Sequence, residues 1–118
     1  MREVSFDCGI EAVLDLLGGK WKLLIVYHLM HKNRLRFGEL RRLVGNVSEK
    51  VLSQQLREMS VDGLVNRVDF GTVPPRVEYE LTPFGRGFGL NLQPMCEWGE
   101  QNMDEITAIA SARAVRNT

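Results

Sequence analysis

The stretch "VSEKVLSQQLREMSVDGLV", Val47 to Val65, carries two stripes on one helical period. Leu52, Leu56 and Met59 stand at i, i+4, i+7, the spacing that gathers side chains on the buried face of a 3.6-period helix. Lys50, Ser53, Gln54 and Arg57 stand at i, i+3, i+4, i+7 and fall nearly opposite. All four donate hydrogen bonds, whereas the carboxylates Glu49 and Glu58 lie on the two flanks. The ends are equally legible. Ser48 is placed to cap the N-terminus, Val47 and Leu52 occupy the staple positions, and Gly63 is placed to stop the helix. One stripe should face a core, and the other is open to something rich in acceptors.

The surrounding chain places that helix in a single domain spanning residues 1–118. With 118 residues, 44% of them hydrophobic and 25% charged, the composition is that of a globular protein with one core. No segment approaches the roughly 20 apolar residues of a membrane span, and two cysteines, Cys8 and Cys96, fit neither a disulfide scaffold nor metal-ligand spacing. These features predict a cytoplasmic protein with no membrane partner. Formal net charge is zero, which at first argues against a polyanionic partner. Its distribution reverses the argument: residues 1–19 carry −3, residues 20–57 carry +7 and residues 58–118 carry −4. The two-striped helix closes the basic segment.

Upstream, Ile10, Val13, Leu14 and Leu17 predict a first helix from about Gly9 to Leu17, stopped by Gly18-Gly19. "KWKLLIVYHLMHKN" predicts a second, central helix because it is apolar on most sides. Phe37, Leu40, Leu43 and Val44 predict a short third helix with Arg41 and Arg42 outward, ended by Gly45-Asn46. Downstream the period changes to two. "LVNRVDF" and "RVEYELT" predict two strands joined by the proline-stiffened tip "GTVPP", with Val77, Tyr79 and Leu81 on one face and Arg76, Glu78 and Glu80 on the other. Phe84, Phe88, Leu92 and Met95 then predict a long helix to about Asn102, bent near Pro94, and an Ala-rich helical tail follows from Asp104 to Ala114.

This order, helices followed by a donor-rich helix and a hairpin, predicts a mainly α protein with a small β-hairpin, arranged as a winged helix-turn-helix. In that arrangement the helix after the turn enters the major groove and the hairpin lies beside it as a wing. Lys50 and Arg57 can approach phosphate or guanine, Gln54 can pair bidentately with adenine, and Ser53 is adaptable. Ser48 stands at the groove end of the same helix. Arg36, Arg41 and Arg42 are expected to anchor the DNA backbone, and Arg76 to reach a phosphate or the minor groove from the wing. The expected partner is double-stranded DNA. Leu92, Met95, Trp98 and the apolar tail exceed what a domain this small needs for its own core, which predicts a symmetric homodimer. Such a dimer would read a pseudo-palindromic operator with half-sites about 34–36 Å, or a multiple of it, apart. An alternative reading is a winged-helix protein-protein interaction module whose donor-rich helix meets an acidic protein.

The chain resembles the HxlR family of bacterial winged-helix transcription regulators, relatives of the MarR type. The matching words are "CGIEAVLDLLGGKWKLLIVYHL", "RFGELRRLVGNVSEKVLSQQLREMSVDGLV", "VPPRVEYELTPFGR" and "EWG", in family order over about Cys8 to Gly99. The resemblance implies a dimeric repressor or activator with residues 8–82 as the DNA-binding core. It also implies dimerisation helices in 1–17 and 83–118, drawing Ile10 and Leu14 into the dimer surface. It further implies a redox or electrophile-sensing role for Cys8, because several family members sense through a cysteine just before the first helix. From the residues alone, Cys8 reads first as a half-buried packing thiol beside the first helix, since Asp7 and Glu11 oppose the thiolate that a helix N-terminus favours; only the resemblance sets the sensing role level with it. A small-molecule effector is compatible with the family but is not specified. "GFGLNLQPM" departs from the family by its glycines and proline.

His28 and His31 lie three apart but find no third ligand at a suggestive spacing, so no metal is expected. No GxSxG, Walker A or GxGxxG pattern occurs, and neither an enzyme nor a cofactor is expected. Trp21 and Trp98 could line a ligand pocket, although aromatic residues at helical spacing are more often core.

Overall fold

The computed structural model describes residues 3–117. Its elements are α1 (Gly9–Leu17), α2 (Lys20–Lys32), β1 (Arg34–Arg36), α3 (Phe37–Val44), α4 (Glu49–Val61), β2 (Val65–Asp69), β3 (Val77–Leu81), α5 (Pro83–Gln101) and α6 (Met103–Arg116). The fold is mainly helical with one small antiparallel sheet, the winged helix-turn-helix order that the sequence predicts.

The helices begin and end where local chemistry supplies partners for free backbone groups. The Ser48 hydroxyl accepts the Val51 N–H at 3.1 Å at the start of α4, while Val47 and Leu52 are both buried as a staple. At the other end Gly63 takes φ 78°, a left-handed conformation that favours glycine, and the Leu64 N–H returns to the Met59 carbonyl at 2.8 Å. The α2 helix ends at Asn33, which adopts φ 62° and donates its N–H to the Leu29 carbonyl at 3.2 Å. In α3 the Glu39 carboxylate reaches back to accept the Arg36 N–H at 2.9 Å.

The core forms where α2, α3, α4 and the sheet converge. Ile25, Val26 and Leu29 of α2 meet Leu40, Leu52, Leu56 and Met59, all essentially inaccessible to solvent, and Leu35, Leu64, Val65 and Leu81 close the cluster from the sheet side. Burying a Leu or Met side chain contributes about 1.5–3 kcal/mol, so the Leu52–Leu56–Met59 stripe alone fixes the roll of α4 about its axis.

The wing differs from the expected two-stranded hairpin. The sheet has three strands in the order β1-β3-β2, with Arg34 opposite Glu80 and Arg36 opposite Glu78 on one side of β3, and Arg67 opposite Tyr79 on the other. β1 is three residues long, too short to show alternation in the sequence, and becomes visible only when it pairs. Its addition makes β3 the central strand. As a consequence Glu78, on the face expected to be polar and open, is only 8% exposed.

α5 runs without interruption across Pro94, and two of its four glycines, Gly85 and Gly89, have a packing reason. A Cβ at Gly85 would collide with the Leu64 carbonyl oxygen, and one at Gly89 with the Met30 sulfur. Thr82 fastens the helix start to the end of β2's approach, accepting the Gly85 N–H at 3.0 Å and donating to the Gly63 carbonyl at 2.6 Å. The outer helices are less covered. α6 buries no residue and α1 buries only Leu17; Ile10 (69% exposed) and Leu14 of α1, with Met95 and Trp98 (62% exposed) of α5, lie open. Leu92, grouped with them in the sequence, is 7% exposed and belongs to the chain's own core.

Candidate nucleic-acid interface

On α4 the two stripes separate as their spacing dictates. Leu52, Leu56 and Met59 are buried, and Lys50, Ser53, Gln54 and Arg57 are exposed. The flanking carboxylates are paired with cations on other helices. Lys22 of α2 contacts Glu58 at 2.9 Å, and Arg41 of α3 contacts Glu49 at 3.3 Å. The hydrogen bond and charge of Lys22 hold the Glu58 carboxyl below its usual range, and a bond from Gln54 adds to the effect. Glu58 therefore stays ionised and paired, and among the described residues Lys50 and Arg57 have no ion pair of their own.

The three α3-side arginines take different positions. Arg42 is exposed and, among the described residues, carries no ion pair; Arg36 is exposed at the end of β1. Arg41 is engaged: its Nε donates to the Val47 carbonyl at 3.0 Å and its Nη1 to Glu49, so it braces the turn between α3 and α4. A concavity of about 440 Å3 opens at that turn between Arg41, Arg42 and Ser48. It lies beside the α4 N-terminus, where unpaired N–H groups and the helix dipole favour an anion.

On the wing, Arg76 is held within the fold. Its guanidinium donates to Glu78 through Nε at 2.8 Å and Nη2 at 2.7 Å and lies over the Phe70 ring at 4.8 Å. Arg34 similarly pairs with Glu80 at 2.7 Å. Tertiary pairing thus occupies two of the wing's cations. Arg67, which the sequence reading passed over, is different. Its contact to Asp69 is long, 3.9 Å, and Asp69 already accepts the Gly71 N–H at 2.9 Å. Arg67 faces a cleft of about 360 Å3 shared with Ser53, Arg57, Ser60 and Tyr79. Strand alternation marks Arg67 as facing one side of the sheet, but only the register shows that this side meets α4.

A model of the HxlR-like helix-turn-helix matches residues 16–107. The chain belongs to the HxlR-like helix-turn-helix family. Among relatives of this family, the uncharacterized HTH-type transcriptional regulator YtcD of Bacillus subtilis (strain 168) is 42% identical over 106 residues, covering 90% of this chain and 83% of YtcD. Among solved structures, the redox regulator HypR in its reduced form aligns with a TM-score of 0.77 at 42% identity, covering 86% of this chain and 99% of that one. HypR in its oxidized form aligns with a TM-score of 0.74 at 45% identity over 80% of this chain and 97% of that one.

Cys8, the family-derived candidate sensor, precedes the matched HxlR-like region. It stands exposed at the N-cap of α1, where its carbonyl accepts the Ala12 N–H at 3.3 Å and its side chain caps nothing. Cys96 is half-buried along an apolar groove of about 500 Å3 between α2, α5 and α6, lined by Leu23, Tyr27, Leu92 and Met103 among others. Neither Trp21 nor Trp98 lines that groove. His28 and His31 both pack against the Tyr27 ring, and burial first, then the neighbouring His31, pushes the His28 pKa down. Among the described residues no three potential metal ligands gather, and no helix is long and apolar enough to cross a membrane.

Proposed function

We propose that the chain is a sequence-specific, homodimeric DNA-binding regulator of transcription in which α4 reads the major groove. The observation that carries this reading is the α4 surface itself: a donor-rich face free of carboxylates, fixed in roll by a buried stripe, with both flanking carboxylates tied to cations of neighbouring helices. Gln54 and Arg57 read base edges, Ser53 adapts to either, and Lys50, Arg42, Arg36 and the α4 N-terminus at Ser48 hold phosphates. Arg41 positions the turn. Arg76 shapes the wing and meets DNA only where a phosphate can compete with Glu78. Residues 8–82 form the DNA-binding core, and 1–17 with 83–118 supply the dimer surface around Ile10, Leu14, Met95 and Trp98.

Selection of bound duplexes from a random pool tests this reading. A pseudo-palindromic consensus with half-sites about one helical turn apart is expected, bound more tightly than mixed sequence and with a steep salt dependence. Loss of sequence preference together with a flat salt dependence would favour an acidic protein as partner. Ile10→Asp should lower the mass seen by light scattering from dimer to monomer. An unchanged mass would remove α1 from the dimer.

Regulation through Cys8 extends the proposal. It is supported by the exposed thiol at the start of α1 and by the likeness to HypR, a redox regulator with reduced and oxidized forms. An adduct or intersubunit disulfide at α1 would rotate one reading head against the other, and two heads bound to fixed half-sites tolerate little rotation. Diamide should release wild type from DNA and leave Cys8→Ser bound, with Cys96→Ser behaving as wild type. An identical response of wild type and Cys8→Ser would place the effector elsewhere.

A further inference from the structure

The cleft between α4 and the wing has a composition that the reading of α4 alone does not explain. Ser53, Arg57 and Ser60 project from one helix, and Arg67 and Tyr79 from paired positions on β2 and β3, so five hydrogen-bond donors from three elements border one opening of about 360 Å3. Its remaining wall is Leu56, buried in the core, and no carboxylate lines it. Among the described residues no partner takes the Tyr79 hydroxyl or those of Ser53 and Ser60, and neither serine hydroxyl caps a helix. Arg67 is restrained only by its 3.9 Å contact to Asp69, while the Arg34 and Arg76 guanidinium groups are bound at 2.7 Å to their own glutamates. Convergent donors without an internal acceptor imply an acceptor from outside, and two guanidinium groups across one opening select an oxyanion.

Resting on the DNA-binding reading of α4, we infer that this cleft clamps a backbone phosphodiester of the bound duplex. The strand that passes between the major-groove helix and the wing would seat one phosphate between Arg57 and Arg67, with the Tyr79 hydroxyl donating from the floor. Arg67, on the edge strand of the sheet, is then the wing's principal phosphate ligand, the role that linear sequence suggests for Arg76. Asp69 acts against it, because each contact it makes to Arg67 must be broken or shared when the phosphate enters. The site also couples reading to position: Ser53 and Arg57 sit at once on the base-reading face and on the clamp, so a seated phosphate fixes the depth of α4 in the groove.

The test measures binding of the full chain to a mixed-sequence duplex by fluorescence anisotropy over a series of salt concentrations. Arg67→Gln should flatten the log-log slope by about one unit, Arg67→Lys should keep the slope with a several-fold loss of affinity, and Asp69→Asn should bind more tightly than wild type. Arg76→Gln should change the slope by less than Arg67→Gln does. Thermal midpoints matched to wild type confirm that the edge-strand variants fold, and Tyr79→Phe supplies a milder variant with a several-fold loss. An unchanged slope in Arg67→Gln, alongside a flattened one in Lys50→Gln, would overturn the clamp while leaving the DNA-binding reading of α4 intact. A flat slope in wild type would overturn both. Inorganic phosphate at matched ionic strength provides the second arm: Arg67-dependent stabilisation by free phosphate, with no Arg67 effect on the duplex slope, would overturn the assignment to a DNA phosphodiester.

Discussion

The outer face of α4 and the charged face of the three-stranded sheet both hold cations with carboxylates close by, yet they present opposite electrostatics. On α4 the helical period puts Lys50 and Arg57 on one side and Glu49 and Glu58 on the flanks, where Arg41 and Lys22 from other helices reach them. On the sheet, the two-residue period puts Glu78 and Glu80 together on the central strand, and Arg34 from β1 and Arg76 beside β3 close over them at 2.7 Å. The first face keeps its cations available and the second consumes them internally. A count of basic residues is therefore a poor guide to where a polyanion binds, and which carboxylates have been taken away is a better one.

The contrast is broken most severely from beneath. Leu56→Ala on the buried stripe should cost about 2–5 kcal/mol in urea unfolding at fixed protein concentration, whereas Gln54→Ala, one helical face away, should stay within about 0.5 kcal/mol. Gln54→Ala should instead relax preference at one base, a loss of about 1–3 kcal/mol on the selected site and little on mixed sequence. Equal losses on both DNAs would mean that Gln54 does not read a base. A stability loss in Gln54→Ala approaching that of Leu56→Ala would mean that the two stripes are not separate.

Next in size is the exchange of roles between Arg76 and Arg57. Arg76→Ala leaves the buried Glu78 carboxylate without its guanidinium partner, so it should destabilise the protein by about 1–3 kcal/mol while altering the salt slope little. Arg57→Ala, with no partner to strand, should do the reverse, preserving the thermal midpoint and flattening the slope by about one unit. If Arg76→Ala flattens the slope as much as Arg57→Ala, the internal pairing of the wing yields to DNA and the contrast fails on contact with the ligand.

The smallest expected effect lies in pH. The Glu58 carboxyl is held below its ordinary value by Lys22, so its contribution to stability is fully present above that value and fades as acid protonates it through the lower, folded value. Lys22→Met should flatten the acid limb of the stability curve slightly without moving the neutral plateau. His28, pushed down chiefly by burial, adds a second limb. Its stability contribution is full above the ordinary histidine value of 6.5 and declines as pH falls below it, and His28→Gln should remove that decline. An acid limb untouched by either substitution would place the titrating groups elsewhere.

How much of this was legible beforehand follows from the range of the forces involved. Caps, staples and stripes act within one turn or one strand. The boundaries of α1, α3 and α4, the Ser48 cap and the Gly63 stop could be read from the residues, and so could the separation of Leu52–Leu56–Met59 from Lys50–Ser53–Gln54–Arg57. The HxlR-like motif was legible for the same reason, since it is written in consecutive words. What the sequence could not reveal depends on register between distant segments. β1 exists because Arg34–Arg36 finds β3, and Glu78 is buried because β3 thereby becomes central. Leu92 joins the chain's own core instead of the exposed apolar surface because Gly85 and Gly89 let α5 approach Leu64 and Met30. Local periodicity determined which residues turn outward; only tertiary pairing decided which of those outward charges remain unneutralised, because an ion pair is set by the distance between chain segments and not by their separation in sequence.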